Sequence, residues 1–394
     1  ELGREQQLLP VQAYRELYEK VWEKWYLPLC RAEGYWDDQD LARHVLEQER
    51  VQPVFPAIFC DEAQDFTRIE LDILLRLNVF SARRLRPDQI QQVPLVFAGD
   101  QFQTLNPTGF RWESVKAQVV EQFMFALDPA KHAARSELNY RELSFNFRSS
   151  QPITQFSNVV HGLRARLFGL KQMRPQQCGH PSSGARDVVL VDPQDAVMAS
   201  QLARQFDLVF VLPCLDGQER DYIRAHTGLQ AYLQLHEDGS TSIPAMSVIR
   251  AKGLEFQRVV LYGFGADCPA DLDWQVQDGR HPERSIQHEY FLNRLYVGVT
   301  RARSQLLLID DAASQARFWQ PLRQAWEPPV NLQALPEAVS CWKDALGTLR
   351  PAELADITPD AGQLRSMQEN AQQLLQQGLD TQDSYLLRQA AGLY

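Results

Sequence analysis

The apolar run 54–60 ends in two adjacent carboxylates, Asp61 and Glu62. A buried strand that stops at Asp-Glu can hold Mg²⁺ and activate a water beside a nucleotide. Other stretches share its character. Strands are predicted at 54–60 and 94–98, bracketing a helix over 69–80. More strands follow at 187–191, 207–212, 258–263 and 305–310, with helices over 151–165 and 288–301. Strands alternating with helices across short connections indicate an α/β fold with a parallel sheet. Residues 1–50 read as helical, with Tyr14, Leu17, Val21, Trp25 and Leu29 at helical spacing and a second helix from Asp38 to Glu49.

The acidic strand end belongs to a longer phrase, Phe59-Cys-Asp-Glu-Ala-Gln-Asp65, and four further phrases follow it in order. They are Val96-Phe-Ala-Gly-Asp100-Gln-Phe-Gln103, Leu143-Ser-Phe-Asn146-Phe147-Arg148-Ser149, Ala251-Lys252-Gly253-Leu254-Glu255-Phe256 and Arg294-Leu-Tyr-Val-Gly-Val-Thr300-Arg301-Ala302. Together they resemble motifs II to VI of the superfamily 1 helicases of the UvrD/Rep/PcrA type. Tyr35-Trp-Asp-Asp-Gln-Asp-Leu41 resembles the element that leads into motif II in that family. The resemblance implies a RecA-like P-loop NTPase architecture. Residues 1–50 would lead into motif II, and 51–128 would form the second half of one RecA-like domain. Residues 129–318 would form a full second RecA-like domain, 319–336 a linker, and 337–394 an α-helical tail. In that tail Ala371, Leu374, Leu375, Gly378, Tyr385, Leu386 and Ala390 outline a helical hairpin. Such a hairpin fits either a plain appendage or the first unit of a helical repeat array. The family's large inserted subdomain does not fit between Arg148 and Ser247.

The motors of this family also carry a phosphate loop ending Gly-Lys-[Ser/Thr], whose amides and lysine cradle the nucleotide phosphates. Neither Gly-Lys-Ser nor Gly-Lys-Thr occurs in these 394 residues, and the first residues are Glu-Leu-Gly. The chain therefore reads as a fragment of a larger helicase-like protein, carrying motifs II to VI without motif I.

The resemblance assigns ATP and Mg²⁺ as cofactors and gives the matching residues roles. Asp61 would coordinate Mg²⁺ and Glu62 polarise the attacking water. Gln103 would sense the γ-phosphate; Gln64 would either share that task or make a structural bond within its loop. Arg148 and Arg301 would reach the γ-phosphate from the second domain. Phe147 would stack on the base where the family has tyrosine, Glu255 would bond the ribose, and Lys252 would couple the lobes.

The departures fall on the nucleic-acid side. Motif III runs on as Thr104-Leu-Asn-Pro-Thr-Gly-Phe110-Arg111-Trp112, so Phe110 and Trp112 either stack on bases, at ~1–3 kcal/mol each, or pack the domain. In motif V, Ile249 stands in place of a histidine, and Arg250 offers a phosphate contact instead. Arg83, Arg84 and Arg86 either touch a phosphate backbone or form a solvated helix end. A net charge of −10 lowers the expectation of tight DNA binding without opposing a local basic groove. Six scattered cysteines without a Cys-x-x-Cys pair argue for reduced thiols inside a cell, cytoplasmic in a prokaryote or nuclear in a eukaryote. No apolar run approaches the ~20 residues of a membrane span. The expected activity is that of a parent 3′-5′ DNA helicase or translocase on single-stranded DNA, RNA not being excluded. The other reading is a non-catalytic helicase-like module that meets a protein partner through its helical tail.

Overall fold

The structure, a computed structural model, describes residues 11–83, 85, 89, 92–105, 112–123, 139–168, 173–179, 186–272, 286–323, 342, 349–358 and 362–393. Phe110, Arg84, Arg86 and almost all of 324–348 lie outside these. The chain forms two compact units, Glu1–Glu142 and Leu143–Tyr394.

In the first unit, residues 11–33 run as one helix, π-wound over Tyr18–Tyr26 and stopped by Gly34 in the left-handed region. The next helix, Asp38–Glu47, opens with a capping box between Asp37 and Asp40, which satisfies backbone donors the first turn would leave bare. Strands β1 (Ile58–Cys60) and β2 (Leu95–Phe97) pair in parallel, with Phe59 opposite Val96. The helix Arg68–Leu77 begins with a second capping box, Thr67 and Glu70. Its Leu71 and Leu75 pack with Val115, Val119 and Phe123 of the helix Trp112–Phe123 and with Val93. Trp112 is half-buried against this core.

The second unit is built on a six-stranded parallel sheet. A short pair, β3 (Phe145–Asn146) and β4 (Gln177–Cys178), stands apart from it. The sheet strands are β5 (Val189–Val191), β6 (Leu208–Leu212), β7 (Ala245–Ser247), β8 (Phe256–Tyr262), β9 (Ala302–Ile309) and β10 (Arg350–Pro351). Their order is β10-β5-β9-β8-β6-β7, every pair parallel. Parallel sheets are buried on both faces, and the near-continuous apolar strands fit that demand. On one face Val189, Val191, Phe210, Leu212, Val260 and Ile309 pack with Met198 and Leu202 of the helix Ala196–Leu202. On the other, Gly298 of the helix Ile286–Val299 lies against Leu261 so closely that an added Cβ would stand 2.9 Å from the leucine methyl.

Trp319, read as the start of a linker, is fully buried and donates its Nε1–H to Asp310 at 2.7 Å. The C-terminal helices, read as an α-helical tail, belong to the second unit. Strand β10 adds an edge to the sheet beside β5. The helices α1 (Gln363–Asp380) and α2 (Ser384–Ala391) form the expected hairpin, crossing where Gly378 leaves room for Leu387. Asn370 donates to the Asp207 carbonyl at 3.1 Å, and the Tyr385 hydroxyl to the Ala245 carbonyl at 2.5 Å. A helical period shows that an apolar face exists, and the partner that covers it lies elsewhere in the chain.

Candidate nucleotide-site residues in two units

In the first unit, two loops leave the carboxyl ends of the paired strands and meet. Asp61 and Glu62 are exposed directly after β1, and the Glu62 amide donates to Asp61 Oδ1 at 2.9 Å. Glu62 adopts φ 51°, ψ 40°, a left-handed conformation that is uncommon for a residue with a Cβ. Its carboxylate accepts a hydrogen bond from the fully buried Gln64. The Gln64 carbonyl oxygen in turn accepts from the Asp100 amide at 3.0 Å, and Asp100 accepts from Gln103 at 3.2 Å. Gln64 therefore makes a bond within its loop and also ties the motif II loop to the motif III loop. Gly99 permits this, since a Cβ there would press into the Gln64 amide oxygen and stand 3.0 Å from the Ala63 nitrogen. Asp100 is the member that the motif reading did not assign, although it stands inside the Gly-Asp-Gln-Phe-Gln phrase.

The residues present fit a magnesium ion of the kind held by one or two carboxylates together with phosphates and waters. Asp61 offers an exposed carboxylate with one oxygen engaged by the neighbouring amide. Among the described residues, no group of three or more His, Cys, Asp or Glu forms a protein-only cage.

In the second unit, three segments distant in sequence converge at the amino ends of β8 and β9. The Asn146 side chain accepts from the amides of Arg148 and Ser149, both at 2.9 Å, which folds a tight turn. Ser149 Oγ donates to the Ala302 carbonyl and the Ser150 amide to the Arg303 carbonyl, pinning that turn to the start of β9. Phe147 and Arg148 are thrown outward. The Phe147 ring is 66% exposed and lies over Gly179, where any Cβ would meet ring carbons at 2.5 Å. The ring also lies near that of Phe145, centroids 6.4 Å apart. Arg148 Nε lies 2.5 Å from Glu255 Oε1, which precedes β8.

Arg301 belongs to the same convergence, where it is held by backbone carbonyls. It is 1% exposed, and its guanidinium donates to the carbonyls of Val297 at 3.0 Å and Leu254 at 3.1 Å. A charged group this deep is held where carbonyl oxygens satisfy it. Lys252 is half-buried after the single helical turn Val248–Ala251.

Arg250 lies among acids. Its guanidinium contacts Asp216 at 2.8 Å, Glu219 at 2.9 Å and Asp383 at 2.7 Å, and it lies over the Tyr385 ring at 4.6 Å. Three carboxylates share its Nε and Nη1 donors. Phe110 lies outside the described residues. Sequence reading missed Gln176, which links Asn146 at 3.1 Å to the Tyr296 hydroxyl at 2.7 Å beneath the motif IV turn. An isolated glutamine in a loop carries no signal of that role.

Residues 220–312 match the UvrD-like helicase C-terminal domain family. This span holds Arg250, Lys252, Glu255 and Arg301 and supports a relation to UvrD-type helicases. The mixed α/β unit with its parallel six-stranded sheet is consistent with a RecA-like C-terminal helicase domain. The chain is also similar to TPR and ankyrin repeat-containing protein 1 of Homo sapiens, 24% identical over 332 residues. That match covers 73% of this chain and 10% of the relative, so the chain spans about a tenth of the curated relative's length.

Proposed function

We propose that the chain carries the motif II to VI parts of an ATP-dependent motor on single-stranded nucleic acid, of the 3′-5′ DNA helicase or translocase kind. The observation that carries this reading is the meeting of Phe147, Arg148 and Glu255 at one edge of the second unit, from segments a hundred residues apart. An exposed ring seated on glycine suits an adenine, and a carboxylate paired with an arginine suits a ribose beside a phosphate. Asp61 would hold Mg²⁺, the Lewis acid for phosphoryl transfer. Glu62, presented by its strained backbone, would orient the water, and Gln64, Asp100 and Gln103 would link that loop to the next. Arg301 would act by holding the Leu254 carbonyl rather than by touching phosphate in this arrangement.

Because no Gly-Lys-[Ser/Thr] occurs in the 394 residues, this chain alone is expected to hydrolyse ATP little or not at all. ATP hydrolysis, measured with and without single-stranded DNA beside Glu62→Gln, tests this. Turnover that DNA stimulates and Glu62→Gln abolishes would establish a working site and an unrecognised phosphate cradle. A silent chain that gains such turnover when joined to a Walker A segment of its parent would establish the motor. A joined protein that stays silent would favour the second reading, a non-catalytic module that meets a protein partner through its C-terminal helices. The pairing of Arg250 with three carboxylates is the observation on that side.

A further inference from the structure

The peptide unit joining Leu254 to Glu255 is held at both of its polar ends. Its carbonyl accepts from Arg301 Nη1 at 3.1 Å, and its N–H donates to Gln373 Oε1 at 3.0 Å. In a trans peptide these two groups point in opposite directions, so the two bonds together fix the plane. The neighbouring peptides are held as well, by Leu254 N–H to the Ala251 carbonyl at 3.1 Å and Phe256 N–H to the Arg301 carbonyl at 2.8 Å, and the peptide between them takes its plane from the Arg301 and Gln373 bonds. Gly253, immediately before, sits at φ +83°, a region in which glycine moves freely, and the preceding helix is a single turn. The orientation of this peptide sets the direction of the Glu255 side chain, whose carboxylate meets Arg148 at 2.5 Å. Gln373 is half-buried on α1, far away in sequence, and the hairpin that carries it is anchored independently. Asn370 bonds the Asp207 carbonyl, Tyr385 bonds the Ala245 carbonyl, and Thr241 donates to Gln389 at 2.9 Å.

We infer that Gln373 is a positioning residue for the candidate nucleotide site. The C-terminal hairpin, through this one amide oxygen, sets the Glu255 peptide and with it the Arg148–Glu255 pair. Asp383, at the start of α2, grips the same segment from its other end through Arg250. Segment 247–255 is therefore stretched between two holds on one hairpin, and a displacement of α1 is transmitted to Glu255 and Arg148. The role at a nucleotide site rests on the function proposed above; the positioning of the ion pair does not.

The test uses the full chain with nitrogen-15 in its arginines, and follows solvent exchange of the Arg148 Nε–H, which the Glu255 carboxylate protects. Gln373→Ala should speed that exchange about fivefold, the effect of one lost hydrogen bond. Gln373→Leu, which fills the space without an acceptor, should match it, and Gln373→Glu, which keeps an acceptor, should restore slow exchange. Glu255→Gln reports the signal of a broken pair. Unchanged exchange in Gln373→Ala and Gln373→Leu, beside a clear response to Glu255→Gln, overturns the inference. Binding of a fluorescent ATP analogue with Mg²⁺ gives the second readout. If Gln373 acts through Glu255, the weakening caused by Gln373→Ala disappears on the Glu255→Gln background. Additive losses overturn that route. A chain that binds no analogue counts against the nucleotide reading alone, because the Arg148 signal decides the positioning role without it.

Discussion

Glycine 99 shows how one missing side chain joins two loops. The Gln64 amide it accommodates is fully buried and spans from Glu62 to the Asp100 backbone, so it has no room to retreat. Gly99→Ala is expected to displace it, lowering the unfolding free energy by about 1–3 kcal/mol, as overpacking does. Urea denaturation followed by tryptophan fluorescence measures this; a cost near zero would mean that Gln64 can turn away without loss. At this scale the sequence was legible where chemistry depends on residue type. Asp61 and Glu62 announce themselves at the end of an apolar run, and Phe147 keeps an aromatic side chain that is largely exposed. It was illegible where chemistry depends on partners. Arg301 and Arg250 read as cations for phosphate, and neither the carbonyls that hold the first nor the three acids beside the second left a signal in the sequence.

Among the elements, the C-terminal hairpin changes the meaning of motif V. Its helices were visible in the spacing of Ala371, Leu374, Tyr385, Leu386 and Ala390, but the surface they cover was not, because periodicity carries no information about a distant partner. Strands β6, β8 and β9 were legible to within a few residues, since strands buried on both faces are apolar throughout. Edge strand β10 has only two residues, Arg350 and Pro351, and left no apolar run to read. The hairpin's contact with Arg250 predicts a stability phenotype. The Glu219 side chain is 1% exposed, so removing its cation leaves a buried carboxylate beside Asp216 and Asp383. Arg250→Met should cost about 3–5 kcal/mol by chemical denaturation, and Glu219→Gln on that background should recover part of it. A variant with native stability and weakened binding to single-stranded DNA would instead restore Arg250 to a phosphate contact.

Over the whole molecule, an acidic chain has been folded with some of its carboxylates out of water. Asp267 and Asp310 are both pushed up to about 6, chiefly by burial, from the ordinary value of 3.8. Hydrogen bonds oppose the shift in each case, from Arg294 to Asp267 and from Trp319, Gly265 and Ala266 to Asp310. A carboxyl whose value is raised on folding makes the folded chain bind more protons than the unfolded chain between the two values. Stability then falls as pH rises from 3.8 to about 6 and is level above that window. Acids held low act in the opposite sense. The Tyr26 hydroxyl lowers Asp37, and Arg350 lowers Asp356, so their contributions persist above 3.8 and disappear on stronger acidification. Net charge of −10 adds to the first trend, because protonation in the same window relieves self-repulsion. The thermal midpoint is therefore expected to rise between about pH 7 and pH 5 and to fall again below about pH 4. In Asp267→Asn the rise should shrink, since one of the two buried carboxyls no longer titrates, while the fall in strong acid should remain. An unchanged rise in that variant would assign the acid stabilisation to surface charge alone, and burial of Asp267 would carry no measurable penalty.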